Sequence, residues 1–584
     1  MAREIIKNLI TKSLAELNLS AVDFDINHPE LTFGDYSSNV AMMLARTGNQ
    51  GGLAKQEDKN PKDLAEAIKN KITEQADPNI KDVQVAGPGF LNFYLSDTFF
   101  QTSLQSILAE PEAFGQTKDF ADQKVMVEYT DTNPFKEFHI GHLMGNIIGE
   151  TLSRLYLASG AEVKRACYQG DVGMNVAKAL WGMLKLEAET PQEDASLTEK
   201  IKFLGQAYAL GAKEYEEGSE SAKEGIIIIN KKIYKRDDPK LNKVYDLGRR
   251  WSLEQFETIY ERLGTKFDYN FFESEVWPLA EKLVERGLAE GTFEKSEGAV
   301  VFHGEKYDPK LHTRVFINSK GLVTYEAKDL ALAKTKHDKY PFDLSISITG
   351  HEQDAYFAVV LEVMKHVLPE IAPKVKHLSH GILVLPTGKM SSRTGKVVTA
   401  ENLIDQVREK VLEKIQDREL SAEEKDDIAE KVAVGAIKYS ILKQGIGKDI
   451  VFDFDKSLSF EGDSGPYLQY TYTRALSVLN KAEISKLDFK ELEVQLQKLP
   501  ASVVPLEHLL YRLPEVVESA YSELAPQKLV TYLIEVAGAF NSFYAQNQII
   551  GSEHEIYFLA LTRATSIVLK NGLNLLAIPV LEKM

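Results

Sequence analysis

The sequence predicts a multidomain α/β protein built round a doubly wound parallel sheet. Three observations carry this. At 584 residues and ordinary globular hydrophobicity, the chain is too long for one core. From residue 124, strand-like and helix-like stretches alternate: "KVMVEYT", "HLMGNIIGETLSRLYLA", "EVKRACYQ", then "FDLSISITGHEQDAYFAVVLEVMKHVL" and "VKHLSHGILVLP". Such alternation means parallel strands joined by crossover helices. The flanking regions read differently, α+β before this core and helical after it.

In chain order, residues 1–118 form a separate α+β module, with a helix at 2–18, a loop carrying "FGDYSSNVAMMLAR" and the strand pattern "VQVAGPGFLNFYL". The doubly wound core takes 119–400, its first long helix closed by Gly160. Within it, about 183–320 is too long for one crossover and is expected to be a mostly helical insertion. A helical connection follows over 401–455, and 456–584 is helical to the end. No internal repeat is evident.

Cys167 is the only cysteine, so the chain has no internal disulfide and offers no familiar zinc site. The first twenty residues lack a signal-peptide core, and no later stretch is apolar enough to span a bilayer, which points to the cytoplasm and to no membrane partner. A net charge of −17 argues weakly against nucleic acid, although "NKKIYKRDDPKLNK" (230–243) and "KHDKYP" (336–341) are local basic runs. Either run reads more readily as a solvated face.

The stretch "TNPFKEFHIGHL" places His139 and His142 at the mouth of a helix, three residues apart and on one face. Gly141 keeps a side chain from standing between ligand and backbone. At the carboxyl end of a parallel strand such a mouth gathers anionic groups, and imidazoles there can donate to phosphate oxygens. A metal-binding pair is the alternative, but no third ligand lies at a convincing spacing.

These residues also carry a resemblance. "HIGH" (139–142) is the first signature of class I aminoacyl-tRNA synthetases, and "KMSSRTG" (389–395) resembles the second, KMSKS. "TNPFKEFHIGHL", "YEAKDLALAK", "GHEQDAYF", "LSFEGDSGPYLQYTYTR" and "VLKNGLNLLAIPVLEKM" resemble the arginyl-tRNA synthetase family over essentially the whole chain. The resemblance implies a Rossmann-like class I core that joins L-arginine to ATP as arginyl-adenylate and passes it to tRNA(Arg). Arginine activation is expected to wait for tRNA. It implies ATP with Mg²⁺ and no zinc, no other metal site, and a monomer. His139, His142, Lys136 and Lys389 are the implied catalytic groups. Gly141, Met390, Ser391, Ser392 and Arg393 complete the implied ATP site. Ser392 replaces the second lysine of the signature; in the family, a lysine in the position of Lys136 stands in for it, with Arg393 and Lys396 as helpers.

The arginine-binding positions implied by the family are Glu128, Asn133, Tyr325, Asp329 and Gln353. Carboxylates and amide or phenol oxygens suit a guanidinium, which offers five donors and never loses its charge. The resemblance further implies that residues 1–118 grip the tRNA corner and that 456–584 bind the anticodon. Candidate tRNA contacts are Tyr36, Asn39, Tyr467, Tyr470, Arg474, Phe540, Tyr544 and Met584, although aromatics at helical spacing are as a rule core. Two rivals are a tRNA-binding paralogue without catalysis and a synthetase for glutamine or cysteine. Intact HIGH, Lys136, Lys389 and the full set of pocket positions disfavour the first, and the missing zinc cysteines and the acidic pocket disfavour the second.

Overall fold

The computed structural model describes residues 2–47, 60–384, 399–482 and 505–584, and these divide into two compact units.

The larger unit comprises 116–470, 518–531 and 573–584. Its centre is a five-stranded sheet in the order Val375–His380, Leu344–Gly350, Lys124–Glu128, Glu162–Gln169, Tyr269–Phe272, with every pair parallel. Buried on both faces, the strands are apolar: Val125, Met126 and Val127 are all fully shielded. After Lys124–Glu128 the chain winds first to one side and later returns to the other. The topological switch point therefore lies between Lys124–Glu128 and Leu344–Gly350, the usual place for a ligand in such sheets.

Helix Ile140–Ala158 comes close to the strand ends at two glycines, Gly145 facing Thr130 and His380 and Gly149 facing Tyr129. A Cβ at Gly149 would come within 2.1 Å of the Tyr129 ring. The contact is locked by Glu150, which accepts from the Tyr129 hydroxyl (2.8 Å) and pairs with Arg154 (2.7 Å) and Arg165 (2.8 Å). Arg154 reaches on to Gly264 O (3.1 Å) and Asn574 O (2.8 Å), so the same helix also holds the last residues of the chain.

The region expected to be a helical insertion is helical only in part. Helices Leu197–Glu217, Glu220–Lys235 and Pro239–Leu263 bear out the periodicity. Tyr269–Phe272, however, is the edge strand of the main sheet, and three antiparallel strands follow between Glu294 and Ile317. These strands are short, and Gly298 and Gly321 with positive φ make their turns, so no long periodic run announces them.

The smaller unit comprises 1–115, 471–517 and 532–572. Its four-stranded antiparallel sheet runs Ile26–Asn27, Tyr36–Ser38, Phe90–Leu95, Ile80–Ala86, so "VQVAGPGFLNFYL" is a hairpin. Helices Ala2–Glu16 and Pro61–Gln75 cover it. Tyr511, from late in the chain, completes this core against Phe99 and Phe100. Among the described residues, no helix is long and apolar enough to cross a membrane.

Candidate active site

The connection from Lys124–Glu128 to the helix at Ile140 is conformationally strained. Thr130, Asp131 and Phe135 have φ of 79°, 46° and 68°, a region that non-glycine residues seldom occupy and that β-branched threonine avoids most. Asp131 Oδ1 accepts from Tyr168 N (3.0 Å), and Phe135 N donates to Ser252 Oγ (2.9 Å), fixing the loop from both sides.

At the helix mouth the two histidines cap the backbone and each other. Gly141 N donates to His139 Nδ1 (3.1 Å), and His139 N donates to His142 Nδ1 (3.3 Å). The rings stack with centroids 3.7 Å apart. A Cβ at Gly141 would lie 2.9 Å from His139 Cε1, so the space freed by glycine is filled by that ring. Burial lowers the pKa of both imidazoles, with Lys136 adding to the effect, and most strongly for His142. Both rings are thus neutral near pH 7 with Nδ1 accepting, which leaves the proton on each Nε2, free to donate outward. Burial, followed by Lys178, lowers the pKa of Lys136 as well.

The described chain resumes after the second signature beside this mouth. Leu383–Val384 pairs in parallel with Ile450–Val451, and the chain returns at Thr399, which forms an antiparallel bridge to His139. Ala400 N donates to Phe138 O at 2.9 Å. Lys389, Met390, Ser391, Ser392, Arg393 and Lys396 themselves lie outside the described residues.

Across the strand ends stands a cluster of opposite character. Glu128, at the end of its strand, is 3% exposed, and its Oε2 receives Lys336 Nζ at 2.7 Å. Asp329 accepts from the Tyr356 hydroxyl. Burial above all, with Glu128 and Glu273 adding, pushes Asp329 up to about 7 against the lowering by Tyr356 and Lys336. Burial likewise raises Asp131 well above the ordinary carboxylate range, with Glu128 the next cause. Glu273 is paired with Lys328 (2.6 Å), which also lies 4.9 Å from the centre of the Tyr325 ring. Asn133 belongs to the same enclosure. A Cβ at Gly170 would meet Asn133 Oδ1 at 2.3 Å and Glu273 Oε1 at 3.2 Å. Asp171 pins the helix that carries Glu273, accepting from Ser274 N (2.9 Å), Ser274 Oγ (2.7 Å) and the Tyr245 hydroxyl (2.8 Å).

The structure therefore gathers Glu128, Asn133, Tyr325 and Asp329 around the switch point, with Gln353 in the turn that follows the neighbouring strand. Sequence reasoning missed Asp131, Tyr168, Glu273, Lys328, Lys336 and Tyr356. For Lys336 there was a signal: it is seven residues from Asp329 and so on the same helical face. It was read instead within the basic run "KHDKYP", whereas it is 2% exposed. In the other run, Lys232, Arg236 and Lys240 pair with Asp238, Asp246 and Glu187, which partly neutralises that patch. Among the described residues, no group of three or more His, Cys, Asp or Glu side chains could hold a metal ion.

Of the expected tRNA contacts, Tyr36 is fully buried with its hydroxyl on Glu515 (2.9 Å), and Phe540 is fully buried, so neither offers a ring face to a base. Asn39 has its amide on Asp25 (2.8 Å). Arg474 and Tyr544 do come together, the guanidinium 5.3 Å from the ring centre of the exposed tyrosine. Tyr467 and Tyr470 are half-buried, and the Met584 carbonyl accepts from Arg418 at 3.4 Å.

A doubly wound parallel sheet with a HIGH helix at its switch point, and Thr399 bridged to His139 at the mouth of that helix, defines a class I aminoacyl-tRNA synthetase catalytic domain. Family profiles carry this further: the catalytic domain of class I tRNA synthetases (R) matches 103–454, the arginyl tRNA synthetase N terminal domain 4–95, and the DALR anticodon binding domain 468–584. The chain belongs to the arginyl-tRNA synthetase family. It is 32% identical over 545 residues to the arginine–tRNA ligase of Treponema denticola, covering 91% of each chain. It is also 32% identical to that of Clostridium perfringens, covering 91% of this chain and 92% of that one. Among solved structures, the arginyl-tRNA synthetase of Thermus thermophilus shares the fold with a TM-score of 0.80 at 23% identity over 100% of both chains.

Proposed function

We propose that this chain ligates L-arginine to tRNA(Arg) in two steps. The arginine carboxylate first attacks the α-phosphate of ATP, releasing pyrophosphate, and the terminal ribose hydroxyl of tRNA then attacks the acyl carbon, releasing AMP. Neither step needs a protein nucleophile, so the rate comes from alignment and from donors and cations around the phosphates. His139 and His142 donate from Nε2, and Lys136 and Lys389 supply positive charge to the phosphates. Gly141 and the segment Met390, Ser391, Ser392 and Arg393 complete the nucleotide site. Mg²⁺ enters with ATP and offsets phosphate charge.

Arginine is held by Glu128, Asn133, Tyr325, Asp329 and Gln353, with Glu273 added from the structure. Its two cationic groups suit an enclosure where four carboxylates, Glu128, Asp131, Glu273 and Asp329, face only two lysines, Lys328 and Lys336. For tRNA, residues 1–118 would meet the corner and 456–584 the anticodon, where the Arg474–Tyr544 pair is the best-placed contact. The chain would act as a cytoplasmic monomer.

The observation that supports this reading most is the bridge between His139 and Thr399, which ties the described chain after the second signature to the HIGH mouth. The test is incorporation of labelled arginine into tRNA, run beside glutamine and cysteine. Only arginine should be incorporated, and arginine-dependent pyrophosphate exchange should require tRNA. Charging with glutamine or cysteine would refute the specificity, and exchange without tRNA would refute the ordering.

A further inference from the structure

One polar group in the acidic enclosure lacks what its neighbours have. Tyr168 lies near the end of strand Glu162–Gln169, its backbone N–H fixed on Asp131. Its hydroxyl oxygen is closed off from solvent and has no hydrogen-bond partner among the described residues. Nearby phenols are satisfied: Tyr245 donates to Asp171 (2.8 Å), Tyr356 donates to Asp329, and Tyr234 accepts from Lys328 (3.3 Å). A buried hydroxyl without a partner is rare, because nothing replaces its lost hydration.

The surroundings say what would complete it. Burial, then Glu273, Asp329, Glu128 and Asp171, raise the Tyr168 pKa well above the ordinary phenol value, so the group keeps its proton. A protonated phenol can give that proton to one carboxylate, after which its lone pairs still face a region of negative charge. The missing group must therefore donate to oxygen and carry positive charge. A guanidinium does both with a planar array of N–H groups, whereas a urea lacks the charge and an ammonium lacks the planar array.

We propose that the Tyr168 hydroxyl is a binding and specificity-determining contact for the guanidinium of the amino-acid substrate, accepting one N–H while donating to a carboxylate of the enclosure. This deepens, and rests on, the arginine reading above. The contact selects for arginine over lysine because the planar fork can reach Tyr168 and a carboxylate together, which a single ammonium does less well.

Tyr168→Phe removes one oxygen and keeps the ring, so the packing of the strand end is preserved. In tRNA charging with the full chain, the KM for arginine should rise about tenfold or more, as loss of one hydrogen bond to a charged group implies. The kcat should change by less than about threefold and the KM for ATP should stay put, and discrimination against lysine should fall with arginine affinity. An arginine KM within about twofold of the parent, or an ATP KM that rises in step with it, would overturn the assignment. The two readings fail separately. A parent that does not charge with arginine removes both, while a parent that does, beside a variant with unchanged arginine KM, removes only Tyr168.

Discussion

The two sides of the switch point are built on opposite electrostatic plans. At the HIGH mouth, backbone N–H groups donate to Nδ1 of two neutral imidazoles and so fix the tautomers, leaving each Nε2 as a donor, with Lys136 close by. Across the strand ends four carboxylates lie together, and only the two buried ones, Glu128 and Glu273, are paired with lysines. One side suits a polyanion and the other a small molecule with two cationic groups. The second side is the costlier to build, because a buried charge without a partner is unfavourable until its ligand arrives. Discrimination between amino acids should therefore reside there, while the nucleotide side should be indifferent to which amino acid is offered.

The largest expected effect uses the substrate itself. Citrulline matches arginine in shape but is neutral, and a site with desolvated carboxylates should reject it by roughly 10⁴ or more. Charging rates with citrulline within about a hundredfold of arginine would mean that the carboxylates are not in contact with the side chain.

A second way to break the comparison is to unbalance the acidic side from within. Lys336→Met leaves Glu128 buried without its cation and should destabilise the fold by about 3 to 5 kcal/mol in urea or thermal denaturation. Adding Glu128→Gln should recover much of that loss. If the single variant is as stable as the parent, the pair is not a buried counter-ion arrangement.

A smaller effect comes from pH. Asp329 titrates near 7 rather than in the ordinary carboxylate range. Between those values the folded chain holds a proton that an unfolded chain has lost, so the ionised form needed for arginine exists only above about 7. Arginine kcat/KM should fall about tenfold per unit as pH drops below 7, while the KM for ATP stays level. Binding of the guanidinium opposes the shift, so kcat at saturating arginine should fall at a lower pH. A flat arginine profile between about pH 6 and 8 would show that Asp329 does not titrate there.

How much of this was legible follows from chain continuity. The parallel sheet, the HIGH mouth and the proposed pocket residues Glu128, Asn133, Tyr325 and Asp329 sit in contiguous segments with clear periodicity, which is why the sequence could offer them as candidates. Glu273 and Tyr168 enter from segments far apart along the chain, and nothing local distinguishes Glu273 from a helix N-terminal carboxylate. Lys328 and Lys336 were hidden for a different reason. Lysine is seldom buried, so a basic run reads as a solvated face unless the carboxylates it meets are already known. The strands between Glu294 and Ile317 escaped because they are brief and turn on glycines. Tyr36, named only through the resemblance, is instead buried against Glu515, 479 residues away in sequence, and Tyr511, partners that no local pattern announces.

The account stands most directly on Asp329, where charge, burial and position along the helix all point to the substrate. The measurement is steady-state charging by the Asp329→Ala variant with arginine and ATP varied separately. The account predicts a loss of about 2 to 4 kcal/mol in arginine kcat/KM with an unchanged KM for ATP. Unchanged arginine parameters, or an equal loss of ATP affinity, would contradict it.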